Sequence, residues 1–181
     1  MEIAADPRCR PALRWRAARD LATFGESGRK RAVPELQAMS TDASMPVIIR
    51  MDALRVLAQH RPDLRAEVLQ SLRNLCNVAK KPLALLQIFE LIGLYDAAEG
   101  AQQLHDMAQN RTLPSGVRLR AAAAMVELRS DYRERAAIVA REVMHDATVA
   151  WHIKLKAAKA LARWSEMCRD EALAVLATLT S

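Results

Sequence analysis

One pattern returns five times along this chain, and its period limits what the chain can fold into more than any other feature. An aliphatic residue is followed directly by a base, then by Ala three residues on, then by Leu or Met four residues after that. It reads Leu13-Arg14 with Ala17 and Leu21, then Ile49-Arg50 with Ala53 and Leu57. A degenerate copy is Leu83-Ala84 with Gln87 and Leu91. The last two are Val117-Arg118 with Ala121 and Met125, and Ile153-Lys154 with Ala157 and Leu161. Successive copies begin 36, 34, 34 and 36 residues apart. The aliphatic, the Ala and the Leu/Met are each four residues apart, so they share one stripe of a helix. The small central residue lets a neighbouring helix come close. The pattern predicts helices near 12–24, 47–59, 82–93, 116–129 and 151–164.

A short break follows each patterned helix: Gly25-Glu26-Ser27-Gly28, His60-Arg61-Pro62-Asp63, Gly93-Leu94-Tyr95-Asp96, Ser130-Asp131-Tyr132 and Ser165-Glu166. A second amphipathic helix comes next. Its apolar positions include Val33 and Leu36, Val68 and Leu72, Leu104 and Met107, Ile138 with Val139 and Val143, and Leu173 with Leu176. Pro11, Pro46, Pro82 and Pro114 precede or open four of the patterned helices, where a missing N–H is harmless. Aromatic residues are only 4% of the chain, whereas Ala, Leu and Arg abound, which favours helix over strand. A two-helix unit cannot bury its apolar faces alone, so the units are expected to stack into a single repeat domain spanning 1–181. The last helix closes on Leu176-Ala177-Thr178-Leu179, an apolar edge on which a further unit or a second subunit would pack.

The aliphatic-Arg-x-x-Ala-x-x-x-Leu core resembles the second-helix signature of the HEAT-repeat family, including its short bacterial variants. An acid in the preceding turn adds to the likeness. Asp6, Asp42 and Asp146 stand eight residues before Arg14, Arg50 and Lys154, and Asn110 holds the same offset from Arg118. The third copy departs from this, with Cys76 and Asn77 near the acid's place and Ala84 in place of the base. The resemblance covers nearly the whole chain. It implies an all-α, right-handed α-solenoid of about five HEAT-like helix–turn–helix repeats. It also implies that turn acids and helix bases form a ladder between adjacent repeats. Arg14, Arg50, Arg118 and Lys154 are then scaffold residues, with Asp6, Asp42, Asn110 and Asp146 as their counterparts.

Positions two and five residues after the ladder base point away from the stripe. They are Arg16 and Arg19, Asp52 and Arg55, Leu86 and Phe89, Arg120 and Ala123, and Lys156 and Lys159. The resemblance implies that this row lines the concave surface, a groove with basic ends and an apolar centre. Leu86 and Phe89 have two readings: a partner-binding patch, or side chains turned into the core of a distorted third unit.

Net charge is +6, with 14 Lys/Arg against 9 Asp/Glu in residues 1–80 and 13 against 12 thereafter. A basic balance admits nucleic acid, an anionic surface or an acidic protein without choosing among them. Cys9, Cys76 and Cys168 are odd in number and far apart, which argues against a disulfide framework and a structural zinc site and suits a cytoplasmic protein. No stretch reaches the roughly 18 apolar residues a membrane span needs, so no membrane association is expected.

His60, His105, His145 and His152 form no metal-binding motif, and capping or surface roles fit them better. Iron-dependent HEAT-like hydroxylases use His-Glu pairs, which this chain lacks. Gly25-Glu26-Ser27-Gly28-Arg29-Lys30-Arg31 lacks the Lys-Ser/Thr ending of a phosphate loop and reads as an inter-helix turn. Trp15, Trp151 and Trp164 read as packing residues of the end units, or alternatively as base-stacking platforms near the groove acids Asp52 and Glu90.

The expectation is a protein without catalytic, cofactor or metal residues that holds a partner protein or peptide on its concave face. Leu86 and Phe89 would anchor that partner, and Arg16, Arg19, Arg55, Arg120, Lys156 and Lys159 would meet its acids. The alternative is a nucleic-acid binder that uses the basic ends of the groove.

Overall fold

The computed structural model describes residues 2–6 and 8–180, and every regular element among them is helical. Two compact units emerge, Met1–Ile88 and Phe89–Ser181. Their division falls inside the helix that carries the degenerate copy of the repeat.

The first unit contains α1 (Glu2–Ala5), α2 (Pro11–Thr23), α3 (Gly25–Thr41), α4 (Val47–His60), α5 (Arg65–Val78) and the start of α6 (Pro82–Gly93). Each of α1 to α4 packs on the helix that follows it, and α2 also touches α4. On α4 the stripe residues Ile49, Ala53 and Leu57 are buried, whereas on α2 the buried face is one residue on: Leu13 is exposed, Ala17 and Leu21 are half-buried, and Ala18 and Ala22 are buried. Leu54, Leu36, Met39, Leu72 and Leu75 are buried as well. Each such leucine contributes about 1.5–3 kcal/mol by leaving water.

No loop separates α2 from α3. Gly25, at φ +62°, reverses the chain in a left-handed conformation that favours glycine. Gly28 then passes so close to α2 that a Cβ would sit 2.2 Å from the Leu21 carbonyl oxygen. Gly25–Arg31 is therefore not the open inter-helix turn expected from its composition. The basic triplet rides on the surface of α3, where Lys30 pairs with Glu26 at 2.9 Å.

The second unit holds the end of α6 with α7 (Ala97–Gln109), α8 (Ser115–Leu128), α9 (Arg133–His145), α10 (Trp151–Trp164) and α11 (Arg169–Thr180). Helices α7 to α10 each pack on the next, α7 also meets α9, and α8 meets α10. Asp96 caps α7 by accepting from the Glu99 N–H at 3.0 Å. Helices α6 and α7 meet glycine on glycine, since a Cβ at Gly100 would stand 2.4 Å from the Gly93 Cα.

Several expected positions differ. Leu86 does not face solvent but is 0% exposed, and Phe89 is half-buried. Helix α6 is apolar on nearly every side, and Leu86, Ile88, Leu91 and Ile92 are all buried. The outward row is therefore closed at Leu86, although Leu83 of the same helix stays exposed. Trp151 is 63% exposed and lies edge-on to His152 at 6.1 Å, rather than packing an end unit. Leu13 and Leu83 of the stripe are also exposed, as are Ile138 and Leu173, which were expected on the apolar faces of the second helices. In α9 the neighbour Val139 takes the buried place beside Ile138, and in α11 Ala172 does so beside Leu173. No helix among the described residues is long and apolar enough to cross a membrane.

Candidate functional site

The ladder residues come first, because they determine which charges remain for binding. Arg14 Nε donates to the Ala4 carbonyl at 3.2 Å, Arg50 Nε to Ser40 at 3.1 Å, and Arg118 Nε to Ala108 at 2.9 Å. Each acceptor is the penultimate residue of the preceding helix, ten positions back. The last carbonyls of a helix have no partner within it, and a guanidinium there satisfies one and complements the negative helix end.

The turn residues have a separate task. Asp42 Oδ1 accepts from the Ser44 N–H and hydroxyl at 2.8 and 2.6 Å. Asn110 does the same with Thr112, and Asp146 with Thr148. Asp6 accepts from the Arg8 N–H at 2.9 Å. Each residue thus folds a side-chain-closed turn before the next helix. The Ser44 hydroxyl and N–H hold the Asp42 carboxyl below its ordinary range, and the charges of Arg14 and Arg50 push the same way. Thr148 does this for Asp146, helped by Lys154 and Arg118. The expected ladder of acid on base therefore acts through space, while hydrogen bonds to the main chain hold its members.

Arg118 departs from the other bases. It is buried, and its Nη2 reaches Glu142 of α9 at 2.7 Å. Arg111 joins the same carboxylate at 2.8 Å. The hydrogen bond from Arg118, then that from Arg111, keeps Glu142 below its ordinary range. Glu171 of α11 ties to His145 at 2.6 Å and Arg141 at 3.0 Å, and is lowered by them in that order. The cleft of about 400 Å³ beside Arg118, lined also by Ser115, His145 and Asp146, is thus filled with mutually satisfied charge.

Of the outward row, Arg16, Arg19, Arg120, Lys156 and Lys159 lie exposed, and Asp52 and Arg55 are half-buried. In the first unit three of them converge. Arg19, Asp52 and Arg55 line a cleft of about 390 Å³ with Trp15, Thr23, Val56, Gln59 and His60. Arg55 Nη1 donates to Asp52 at 2.9 Å, and the Arg19 guanidinium lies 4.8 Å from the Trp15 ring centroid. Burial pushes the Asp52 carboxyl up, against the pull of Arg55 and Arg19. Trp15 Nε1 is buried with no hydrogen-bond partner. The sequence reading omits Gln59 and His60 from this cleft, and its alternative placing of Trp15 near Asp52 matches the position of the ring. Spacing carries the signal: Trp15 and Arg19 are four apart on α2, and Asp52, Arg55 and Gln59 follow the i, i+3, i+7 rule on α4.

In the second unit, Ala123 of the row lines a smaller cleft of about 220 Å³ with Val126, Glu127, Arg133, Arg163 and Trp164. His105 lies edge-on to Tyr132 at 5.9 Å, and its Nδ1 is buried without a partner. The three cysteines are half-buried, and no disulfide joins them. No group of three or more His, Cys, Asp or Glu suited to a metal occurs among the described residues. Comparison with protein-family models, with curated proteins and with solved structures finds no match.

Proposed function

We propose that this chain is a HEAT-type solenoid that serves as a non-catalytic scaffold and holds a partner protein on the helix row that carries Arg16, Arg19, Arg55, Arg120, Lys156 and Lys159. One observation carries this reading. On α2 and α8, where a ladder arginine bonds a main-chain carbonyl, the row cations Arg16, Arg19 and Arg120 lie exposed, as do Lys156 and Lys159 on α10. Three of the scaffold's bases are thus committed to its architecture, and the row supplies charge for a partner. With Leu86 buried, the apolar share of binding passes to half-buried rings such as Trp15 and Phe89. Acids set among the row cations, Asp20 and Asp52, favour a protein over a polyanionic nucleic-acid strand.

The test compares wild type with a chain carrying Arg16→Glu, Arg120→Glu, Lys156→Glu and Lys159→Glu. A partner is identified by co-purification from the native host and reconstituted from purified components. The reading expects binding that persists at moderate salt and is lost in the reversed chain, with the thermal melt unchanged. Equal binding to both chains would overturn it. So would high-affinity retention of DNA or RNA that falls steeply with salt.

A further inference from the structure

The cleft between α2 and α4 combines features that point to one class of ligand. Two guanidiniums, Arg19 and Arg55, line it together with His60, against a single carboxyl, Asp52. Arg55 gives one N–H to Asp52 and keeps the rest of its planar fork. Arg19 is held by Asp20 at 2.8 Å in an exposed pair, a weak tether that yields readily. Trp15 and the nearly buried Val56 add an apolar wall. The Trp15 N–H is the unused donor of the group, and burial without an acceptor is an unfavourable state that native structures seldom keep. The Arg19 guanidinium lies over the face of the same ring, so an acceptor that meets the indole N–H is also close to Arg19.

We propose that this cleft receives a carboxylate-bearing segment of a partner protein, an Asp or Glu next to an apolar residue, held by Arg55, Arg19 and the Trp15 N–H. A carboxylate accepts two parallel bonds from a guanidinium and has lone pairs left for an indole N–H. The apolar neighbour packs on Trp15 and Val56. A volume of about 390 Å³ suits one or two residues of an extended segment rather than a folded domain. This inference rests on the scaffold reading above and gives it a site and a ligand chemistry.

The experiment pans a random peptide library on the full chain at physiological salt. Selected peptides are then titrated against wild type and Trp15→Phe. Recovered peptides are expected to share an Asp or Glu at a fixed place beside an apolar residue. Changing that acid to its amide is expected to weaken binding at least about tenfold. Trp15→Phe keeps most of the ring and removes the N–H. It is expected to lose about tenfold in affinity while melting no lower than wild type, since an unpartnered buried donor has gone. If Trp15→Phe melts lower, Arg55→Lys takes its place, because it keeps the charge beside Asp52 and loses the planar fork.

Peptides without a shared acid would overturn the inference, as would equal binding to wild type and both variants. In the second case the scaffold reading survives on another face. Recovery of no peptide overturns the cleft's role. If an oligonucleotide is then bound instead, the scaffold reading falls with it.

Discussion

The two units share a repeat but use its charges differently. In the first, Arg50 is half-buried and gives its Nε to the Ser40 carbonyl. In the second, Arg118 makes the equivalent bond to Ala108, is buried, and also pairs with Glu142. The residue 24 positions after the base is Glu142 in one unit and Asn74 in the other. Ion pairs of the first unit such as Arg19–Asp20, Lys30–Glu26 and Arg55–Asp52 join near neighbours along the chain. The second unit has a local pair too, Arg129–Asp131, but adds Arg118–Glu142, Arg141–Glu171 and His145–Glu171, which join different helices. The repeat thus provides a common frame, and acids outside the motif, Glu142 and Glu171, turn its charge into links between helices.

The largest expected effect tests this contrast directly. Arg118→Ala strands the Ala108 carbonyl and removes a buried partner of Glu142, for a loss of about 3 kcal/mol. Arg50→Ala strands only the Ser40 carbonyl and is expected to cost about 1 kcal/mol. Chemical denaturation of both variants measures the difference. Equal losses would mean that Glu142 adds nothing and that the two units are held alike.

Gly100→Ala comes next. A Cβ at 2.4 Å from the Gly93 Cα meets main chain, which cannot rotate away. Overpacking of about 2–3 kcal/mol exceeds the gain of about 1 kcal/mol from placing Ala in a helix, so a net loss of about 1–2 kcal/mol is expected. Hydrogen exchange should show it first in α6 and α7. A more stable variant would show that the two helices separate freely.

Acid gives a smaller effect, opposed between the cross-helix glutamates of the second unit and the cleft acid Asp52 of the first. Glu142 and Glu171 have lowered folded pKa values. Their stabilisation is present above the ordinary glutamate pKa and is lost as pH falls through the lowered one. Asp52 has a raised folded pKa, so its ionised form works against the fold near neutrality and that burden lifts as pH falls. Exchange protection is therefore expected to fall in α8, α9 and α11 on acidification before it falls around the cleft of α2 and α4. Glu142→Gln should flatten the dependence in α8 and α9. Loss at the cleft first would reverse the assignment.

Much of this architecture was legible in the sequence, and the failures have physical causes. Pro11, Pro46, Pro82 and Pro114 mark helix starts because proline restricts the local backbone, and the helices begin there. The ladder bases were recognisable as structural, but their carbonyl partners were not, since a helix end offers its acceptors whatever its side chains. The turn partners Ser44, Thr112 and Thr148 were visible as Asp/Asn-x-Ser/Thr and went unread. Leu86 has two readings in the sequence, a surface patch or a core residue of a distorted third unit, and it takes the second because α6 is largely apolar. Trp15 also has two readings, an end-packing residue or a stacking platform near Asp52, and it shares a cleft with Asp52, a meeting of α2 and α4 that the spacing within each helix supports but does not by itself establish.

The smallest expected effect is also a gain. Lys154 stands in the fifth copy where three others have arginine, and it is half-buried. Ten residues earlier is Met144, the penultimate residue of α9, as Ser40 is of α3 and Ala108 of α7. A lysine presents its donors only at the tip of a flexible stem, whereas an arginine carries Nε one atom nearer the backbone in a planar group. Lys154→Arg should therefore copy the bond that Arg50 makes and add about 0.5 kcal/mol, a rise in Tm of about 1–2 °C. Arg50→Lys should lose a similar amount. If both substitutions leave the melt unchanged, the carbonyl bonds follow from where the helices lie rather than helping to place them. The charged links between helices of the second unit would then be those of Glu142 and Glu171.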